Sequence, residues 1–239
     1  MIQRPWHIAV LIPARDEEEL LPRCLRSVLL SARQLPELVR SHIIVVSDSS
    51  TDRTIEIAAT LLGSHDTVLK THAASVGTAR RLAANSILGC YQGSLQQLWL
   101  ANTDADCIVP PAWLSNQLEL AEEGFEAIAG TVTVDGFEEH GVEVAERFRT
   151  SYIIRNDGSH PHIHGANLGV RGDAYQRAGG WSHLSTAEDH DLWRRLLRQR
   201  TRTVSTSGIE VETSGRRVGR APHGFANALA AHNNEGLLA

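Results

Sequence analysis

The chain has 239 residues, 42% of them hydrophobic and 21% charged, a balance that suits a water-soluble globular protein with a core large enough to need neither disulfides nor a structural metal. A net charge of −5 argues against nucleic-acid binding through a broad basic surface. Cys24, Cys90 and Cys107 form no CxxC pair, which fits a reducing compartment better than a zinc knuckle or a disulfide framework.

The N-terminal stretch turns acidic at Asp16 and Glu17, too early for a signal peptide. No apolar run approaches the roughly 20 residues needed to span a bilayer. The expectation is a soluble, cytoplasmic protein without a transmembrane segment, with peripheral membrane contact left open.

The first half alternates two periodicities. HIAVLI, from His7 to Ile12, is a short apolar run closed by Pro13 and predicts a buried strand. Leu20, Leu21, Cys24, Leu25, Val28 and Leu29 recur at helical spacing. Ile43–Val46 is a second strand. Ser50-Thr51-Asp52 can cap a helix carrying Ile55, Ala58, Ala59 and Leu62. Thr67–Lys70 is a third strand, and Ala79, Leu82, Ala83 and Ile87 mark another helix. Leu95–Leu100 is a fourth strand, followed by a helix over Pro111–Glu123 with proline near its start. Beyond about residue 124 the pattern loosens. Glu126–Val134 predicts a strand, residues 155–165 a polar loop, and Gly208–Ala239 a tail rich in Gly, Arg, Ala and His.

This β-α-β-α order predicts an α/β fold whose mainly parallel sheet is covered by helices. Ligands of such sheets bind beyond the carboxyl ends of the strands. PARDEE, SDSSTD and NTDAD all follow strand ends, so their polar groups should converge on one edge. The simplest division is a single domain over 1–239, with a nucleotide-binding half to about residue 124 and an acceptor half with its tail after it.

Asp104 and Asp106 flank a small residue at the end of the fourth strand. Hard divalent cations take carboxylate oxygens, and Mg2+ commonly uses one or two of them while diphosphate oxygens complete its shell. A helix cap plus a turn aspartate is the competing reading. Asp48 lies ahead of any cap and could accept hydrogen bonds from a base or ribose, whereas Asp52 suits the cap itself. In VGTARR, Arg80 could pair with phosphate or brace a loop; the single Gly77 makes neither a Walker sequence nor GxGxxG. Glu188 and Asp189 lie one turn back from Leu192 and Trp193, above a buried stripe that also takes in Leu196 and Leu197. Inward carboxylates are costly unless used or paired. A salt bridge to Arg194 or Arg195 is the structural alternative. His164, His190 and His223 lie near suggestive residues, and His223 is a candidate contact for metal or diphosphate.

Six motifs, VLIPARDEEELLPRCLRSV, IIVVSDSSTDRT, VGTARRLAAN, LANTDADCIVPPAWL, GANLGVRGDAYQRAGGW and AEDHDLWRRL, occur in the order seen in the inverting glycosyltransferases of family 2, and together the chain resembles that family over most of residues 7–200. The resemblance implies a three-layer GT-A-like fold. It implies that Pro13, Arg15 and Glu17 line the nucleotide pocket, that Asp48 contacts the base, and that Arg80 belongs to the same wall. Asp104 and Asp106 match the DxD motif serving ribose, metal and diphosphate, with Mn2+ or Mg2+ as the cofactor. Asp189 matches the catalytic base, with Glu188 beside it, and Gly165, Ala166 and Asn167 match the loop near donor sugar and acceptor. Ser47 and Arg81 depart from the usual residues at their positions. Arg216, Arg217 and Arg220 are placed near the diphosphate in a closing loop.

The implied reaction transfers a sugar from a nucleotide-diphosphate sugar to an acceptor hydroxyl, metal-assisted, with no covalent enzyme intermediate. The alternatives are a sugar nucleotidylyltransferase and a non-catalytic nucleotide-sugar-binding protein. The first wants a glycine-rich loop after strand one, where PARDEEE stands instead. A dehydrogenase lacks its GxGxxG there.

Overall fold

The computed structural model describes residues 5–184, 186–220 and 224–233. Strands β1 (His7–Ala14), β2 (Arg40–Asp48), β3 (Thr67–Thr71) and β4 (Leu98–Asn102) alternate with helices α1 (Leu21–Ala32), α2 (Thr54–Leu61) and α3 (Val76–Cys90). Then follow α4 (Trp113–Glu122), β5 (Ala127–Val134), α5 (Val144–Ser151), β6 (Leu168–Arg171), α6 (Gly172–Arg177), α7 (Glu188–Arg198), β7 (Thr203–Thr213) and α8 (Phe225–Ala231).

The seven strands form one sheet in the order β3-β2-β1-β4-β6-β5-β7. β3, β2, β1 and β4 pair in parallel. β6 runs antiparallel to both of its neighbours, and β5 and β7 are parallel to each other. Every strand except β6 therefore points the same way. Their carboxyl ends share one edge, and the antiparallel β6 begins there. The expected α/β architecture with a mainly parallel sheet is the one observed.

Strand side chains alternate between two cores because the pleat has period two. Ile8, Val10, Ile12, Ile43, Val45 and Trp99 face one layer, built by Leu21, Leu25 and Val28 of α1, Ala58 of α2 and Trp113 and Leu114 of α4. Ala9, Leu11, Ile44, Val46 and Leu100 face the other, built by α3, α6 and α7. Burial on both faces explains the unbroken apolar runs.

Several boundaries differ from expectation. Leu95–Gln97 is a turn of 3-10 helix and only Leu98 starts the strand. The proline pair precedes α4, which begins at Trp113. The first part of the expected tail is strand β7. Its sequence, TVSTSGIEVET, is mostly polar because it is an edge strand, and only its last turns alternate inward. In α7 the buried stripe narrows to Leu192 and Leu196; Leu197 is 51% exposed and Trp193 half-buried.

Candidate active site

The loops at the carboxyl edge are stitched together before any ligand is considered. The Asp16 amide donates to Ser50 Oγ at 3.2 Å, and the Thr51 amide donates to Asp16 Oδ1 at 2.7 Å. Asp52 accepts from the amides of Thr54 and Glu18, so it ties the entry of α2 to the loop after β1, while Arg53 rather than Asp52 holds the N-cap position. Non-glycine residues with positive φ cluster here: Asp16, Ser49, Ala74 and Ala187, with φ between 49° and 61°, each stand at a junction facing this edge. Such conformations cost on the order of 1–3 kcal/mol each and persist only where surrounding contacts hold them.

A pocket of about 140 Å3 opens at this edge, and Pro13, Arg15, Glu17, Asp48, Asp104 and Asp106 all line it. The sequence-predicted nucleotide and DxD residues are thus brought together. Asp48 spends its carboxylate on the loop entering α3, accepting from the amides of Ala74 at 2.9 Å and Ser75 at 2.7 Å. Its visible work is to shape the pocket wall.

Arg80 lies deeper. It is 2% exposed, donates 2.5 Å bonds to Asp104 Oδ1 and Glu188 Oε1, and sits over the Trp181 ring. Burial opposes its charge, but Asp104 and Glu188 hold the guanidinium above its ordinary pKa. Burial likewise pushes Glu188 up, and Arg80 only partly pulls it back. Gly165 makes room for this centre: a Cβ there would lie 2.5 Å from Arg80 Nη1. Gly77 serves packing in the same way, since its Cβ would meet the Ser182 carbonyl at 2.4 Å. The partner of Glu188 is Arg80; the alternative partners Arg194 and Arg195 pair with Asp191 instead. Arg81 braces the loop before α7 by donating to the Trp181 carbonyl at 2.8 Å.

Asp189 is half-buried at the start of α7. Its Oδ2 accepts the Gly165 amide at 2.8 Å, and its Oδ1 accepts the His190 amide at 2.7 Å. It lines a second pocket of about 360 Å3, together with Gly165, Ala166, Arg80, Asp104 and Glu188. Val76, Asp104, Thr213 and Phe225 line both pockets and connect them. Asn167 does not join it. Its side chain accepts from Trp113 Nε1 and donates to the carbonyls of Thr131 and Ile209, tying α4, β5 and β7 together at 2% exposure. Its expected place in the donor and acceptor pocket differs from this position, where a buried amide finds its partners inside the protein.

One contributor, Tyr152, is not evident from local pattern. Tyr152 Oη accepts the Val132 amide at 3.0 Å, so its proton faces His164 Nε2, also at 3.0 Å. Burial lowers His164 to about 4 despite the nearby Asp189, keeping the imidazole neutral. Arg216, placed near the diphosphate on sequence, donates to Glu17 Oε1 and Oε2 at 2.6 and 3.0 Å and lies 2.9 Å from Asp106 Oδ2. Burial raises Asp106 to about 6, with Arg216 opposing and Asp104 and Glu17 adding to the rise. Arg220 lines the same pocket, whereas the Arg217 amide binds Glu139. His223 lies outside the described residues.

Asp104, Asp106 and Cys107 place ligand atoms within 4.8 Å of one another. Cys107 is fully buried, and burial holds its thiol well above the ordinary range. The two carboxylates are the donors that suit a hard cation.

A family model described as "Glycosyl transferase family 2" matches residues 9–179. The chain belongs to this family. The undecaprenyl-phosphate 4-deoxy-4-formamido-L-arabinose transferase of Pectobacterium carotovorum is 26% identical over 169 residues, 70% of this chain and 49% of that protein. The family 2 chain therefore spans about half the length of the curated relative it matches. Among solved structures, S. aureus TarS 1-349 in complex with UDP-GlcNAc gives a TM-score of 0.67 at 14% identity, covering 96% of this chain and 67% of that one. A further TarS structure gives 0.63 at 15% identity, covering 87% and 36%. These likenesses show the shared GT-A fold. Among the described residues, no helix of this family 2 chain is long and apolar enough to cross a membrane.

Proposed function

We propose that this family 2 domain, read as one unit over residues 1–239, is an inverting glycosyltransferase that moves a sugar from a nucleotide-diphosphate sugar to an acceptor hydroxyl. One observation carries the reading: Asp189, at the start of α7, and the DxD residue Asp104 line the same pocket, with Arg80 bridging Asp104 to Glu188.

Pro13, Arg15, Glu17 and Asp48 line the nucleotide side, where Arg15 and Arg220 supply positive charge toward phosphate oxygens. Asp104 and Asp106 would hold a divalent ion, Mg2+ or Mn2+, which when bound supplies charge neutralisation at the diphosphate. Asp189 takes the proton of the acceptor hydroxyl as its oxygen bonds to the anomeric carbon and the bond from that carbon to the diphosphate oxygen breaks. Attack from the face opposite the leaving group inverts the centre. General-base assistance of this kind is worth roughly 10²–10⁴ in rate. The Gly165 amide fixes the Asp189 carboxylate, so no reorientation is needed at the moment of transfer. Glu188 acts through Arg80, which it holds in place against Asp104. The Tyr152 hydroxyl keeps neutral His164 beside the acceptor space.

UDP is the first donor nucleotide to test, since TarS was crystallised with UDP-GlcNAc. The lipid phosphate in the name of the Pectobacterium relative is not carried over, because Asp189 offers a base that an ionised phosphate acceptor does not need. Calorimetry of UDP with and without Mn2+, followed by UDP release from UDP-GlcNAc, tests the reading. Absence of binding by UDP, GDP and dTDP alike would sink it. The loop after β1 carries Arg15 and Glu17 and no glycine cradle, so nothing favours nucleotidyl transfer.

A further inference from the structure

Charge is divided unevenly between the two connected pockets. The nucleotide side sets Arg15, Arg216 and Arg220 against the carboxylates of Glu17, Asp48, Asp104 and Asp106, three guanidinium groups to four carboxylates. The side holding Asp189 is lined by the carboxylates of Asp104, Glu188 and Asp189 against a single guanidinium, that of Arg80, among the described residues. Arg80 is already committed to Asp104 and Glu188, and it is buried. Among the described residues, Asp189 makes no salt bridge, and its oxygens accept from the amides of Gly165 and His190. Val132, Ile163, Phe225 and Ala228 add apolar wall, His164 is kept uncharged, and the exposed His190 stands at the rim beside Asp189. A nucleotide diphosphate arriving with one divalent ion adds nearly compensating charges, so the sign of the field persists in the loaded site.

We propose that the acceptor is an alcohol with no anionic group near its nucleophilic hydroxyl, and that a protonated amine in that position is favoured. The inference rests on the reading of this pocket as the acceptor site. Like charges placed together in a desolvated cleft are strongly disfavoured, and a cleft of one sign concentrates the opposite one. A phosphate or carboxylate beside the hydroxyl would face Asp189 while Arg80, the one guanidinium lining the pocket among the described residues, is held by Asp104 and Glu188. An ammonium there would find a carboxylate.

The field can be read without knowing the acceptor. Ala228, exposed on α8, lines the pocket. In an Ala228→Cys protein with the exposed Cys90 changed to serine, thiol modification is timed at pH 8 with a cationic reagent (trimethylammonioethyl methanethiosulfonate) and an anionic one (sulfonatoethyl methanethiosulfonate). After division by the rates on free thiol, the cation should react about tenfold faster, and Asp189→Asn should cut that preference by about threefold. Thr186→Cys supplies a second reporter from another segment. A corrected ratio near one at both positions overturns the inference, as does a phosphorylated alcohol turned over with a kcat/KM equal to that of its unphosphorylated counterpart. UDP calorimetry on the same proteins separates the failures. A lost field with intact UDP binding sinks the acceptor inference alone, while a clear field without nucleotide binding sinks the nucleotide-sugar reading.

Discussion

The Arg216 guanidinium lies 2.9 Å from Asp106 Oδ2, on the carboxylate that a divalent ion would use. The same guanidinium closes a bidentate pair with Glu17, the geometry that makes arginine–carboxylate contacts strong. Arginine and the proposed metal would compete for Asp106. Arg216→Ala should bind Mn2+ roughly tenfold more tightly in the absence of nucleotide, an effect of about 1.4 kcal/mol. It should bind the UDP–Mn2+ pair more weakly, having lost a phosphate-facing cation. Electron paramagnetic resonance titration of free Mn2+ and calorimetry of UDP report the two halves. A parallel change in both would refute the exchange.

Asp189→Asn keeps an oxygen for the Gly165 amide, so the loop before β6 should hold its shape. Turnover should fall by roughly 10²–10⁴, the usual worth of a general base. UDP affinity should be unchanged, because Asp189 lines only the acceptor pocket. A coupled assay of UDP release beside calorimetry checks both, and near-parental turnover would remove Asp189 from the role of base.

Removing Arg80 leaves Glu188 buried without its partner. Breaking a buried pair from one side commonly costs about 3–5 kcal/mol. Arg80→Met should lose stability of that order in urea denaturation at pH 7.5. The Glu188 carboxyl is already raised by burial, and it rises further without Arg80. A carboxyl raised in the folded state contributes stability at low pH that disappears as pH rises, so the defect of the variant should shrink on acidification. An equal deficit at pH 5 and pH 7.5 would count against the pairing.

His164 acts with the opposite sign. Its folded pKa near 4 lies below the ordinary 6.5, so the stability it contributes is present above 6.5 and is lost as pH falls toward 4. The contribution is up to about 3 kcal/mol. His164→Gln, which retains a hydrogen-bond acceptor for Tyr152, should flatten the stability profile between those limits. Denaturation midpoints measured across that window test it, and a profile as steep as the parent's would show that other groups titrate there.

Much of the fold was legible because its signals are local. The apolar runs of β1, β2 and β4 report strands buried on both faces, and the spacing of Leu21, Cys24, Leu25 and Val28 reports a helix face. A parallel sheet then obliges Pro13, Asp48 and Asp104 to meet at one edge, which the pocket lining bears out. β7 was not legible: an edge strand half in solvent carries no such run, and its register comes from β5 beside it.

By itself, then, the order of residues determined the alternation of strand and helix, the edge where carboxylates gather, and the motifs of family 2. Hydrophobic periodicity and strand direction suffice for these. Only the tertiary structure decided which carboxylates are spoken for. Arg80 binds Glu188 rather than leaving it free, Asn167 turns inward, and Arg216 reaches back to Glu17 and Asp106. These pairings join distant segments of the chain. The contacts depend on how closely packed layers bring side chains together, which no local pattern encodes.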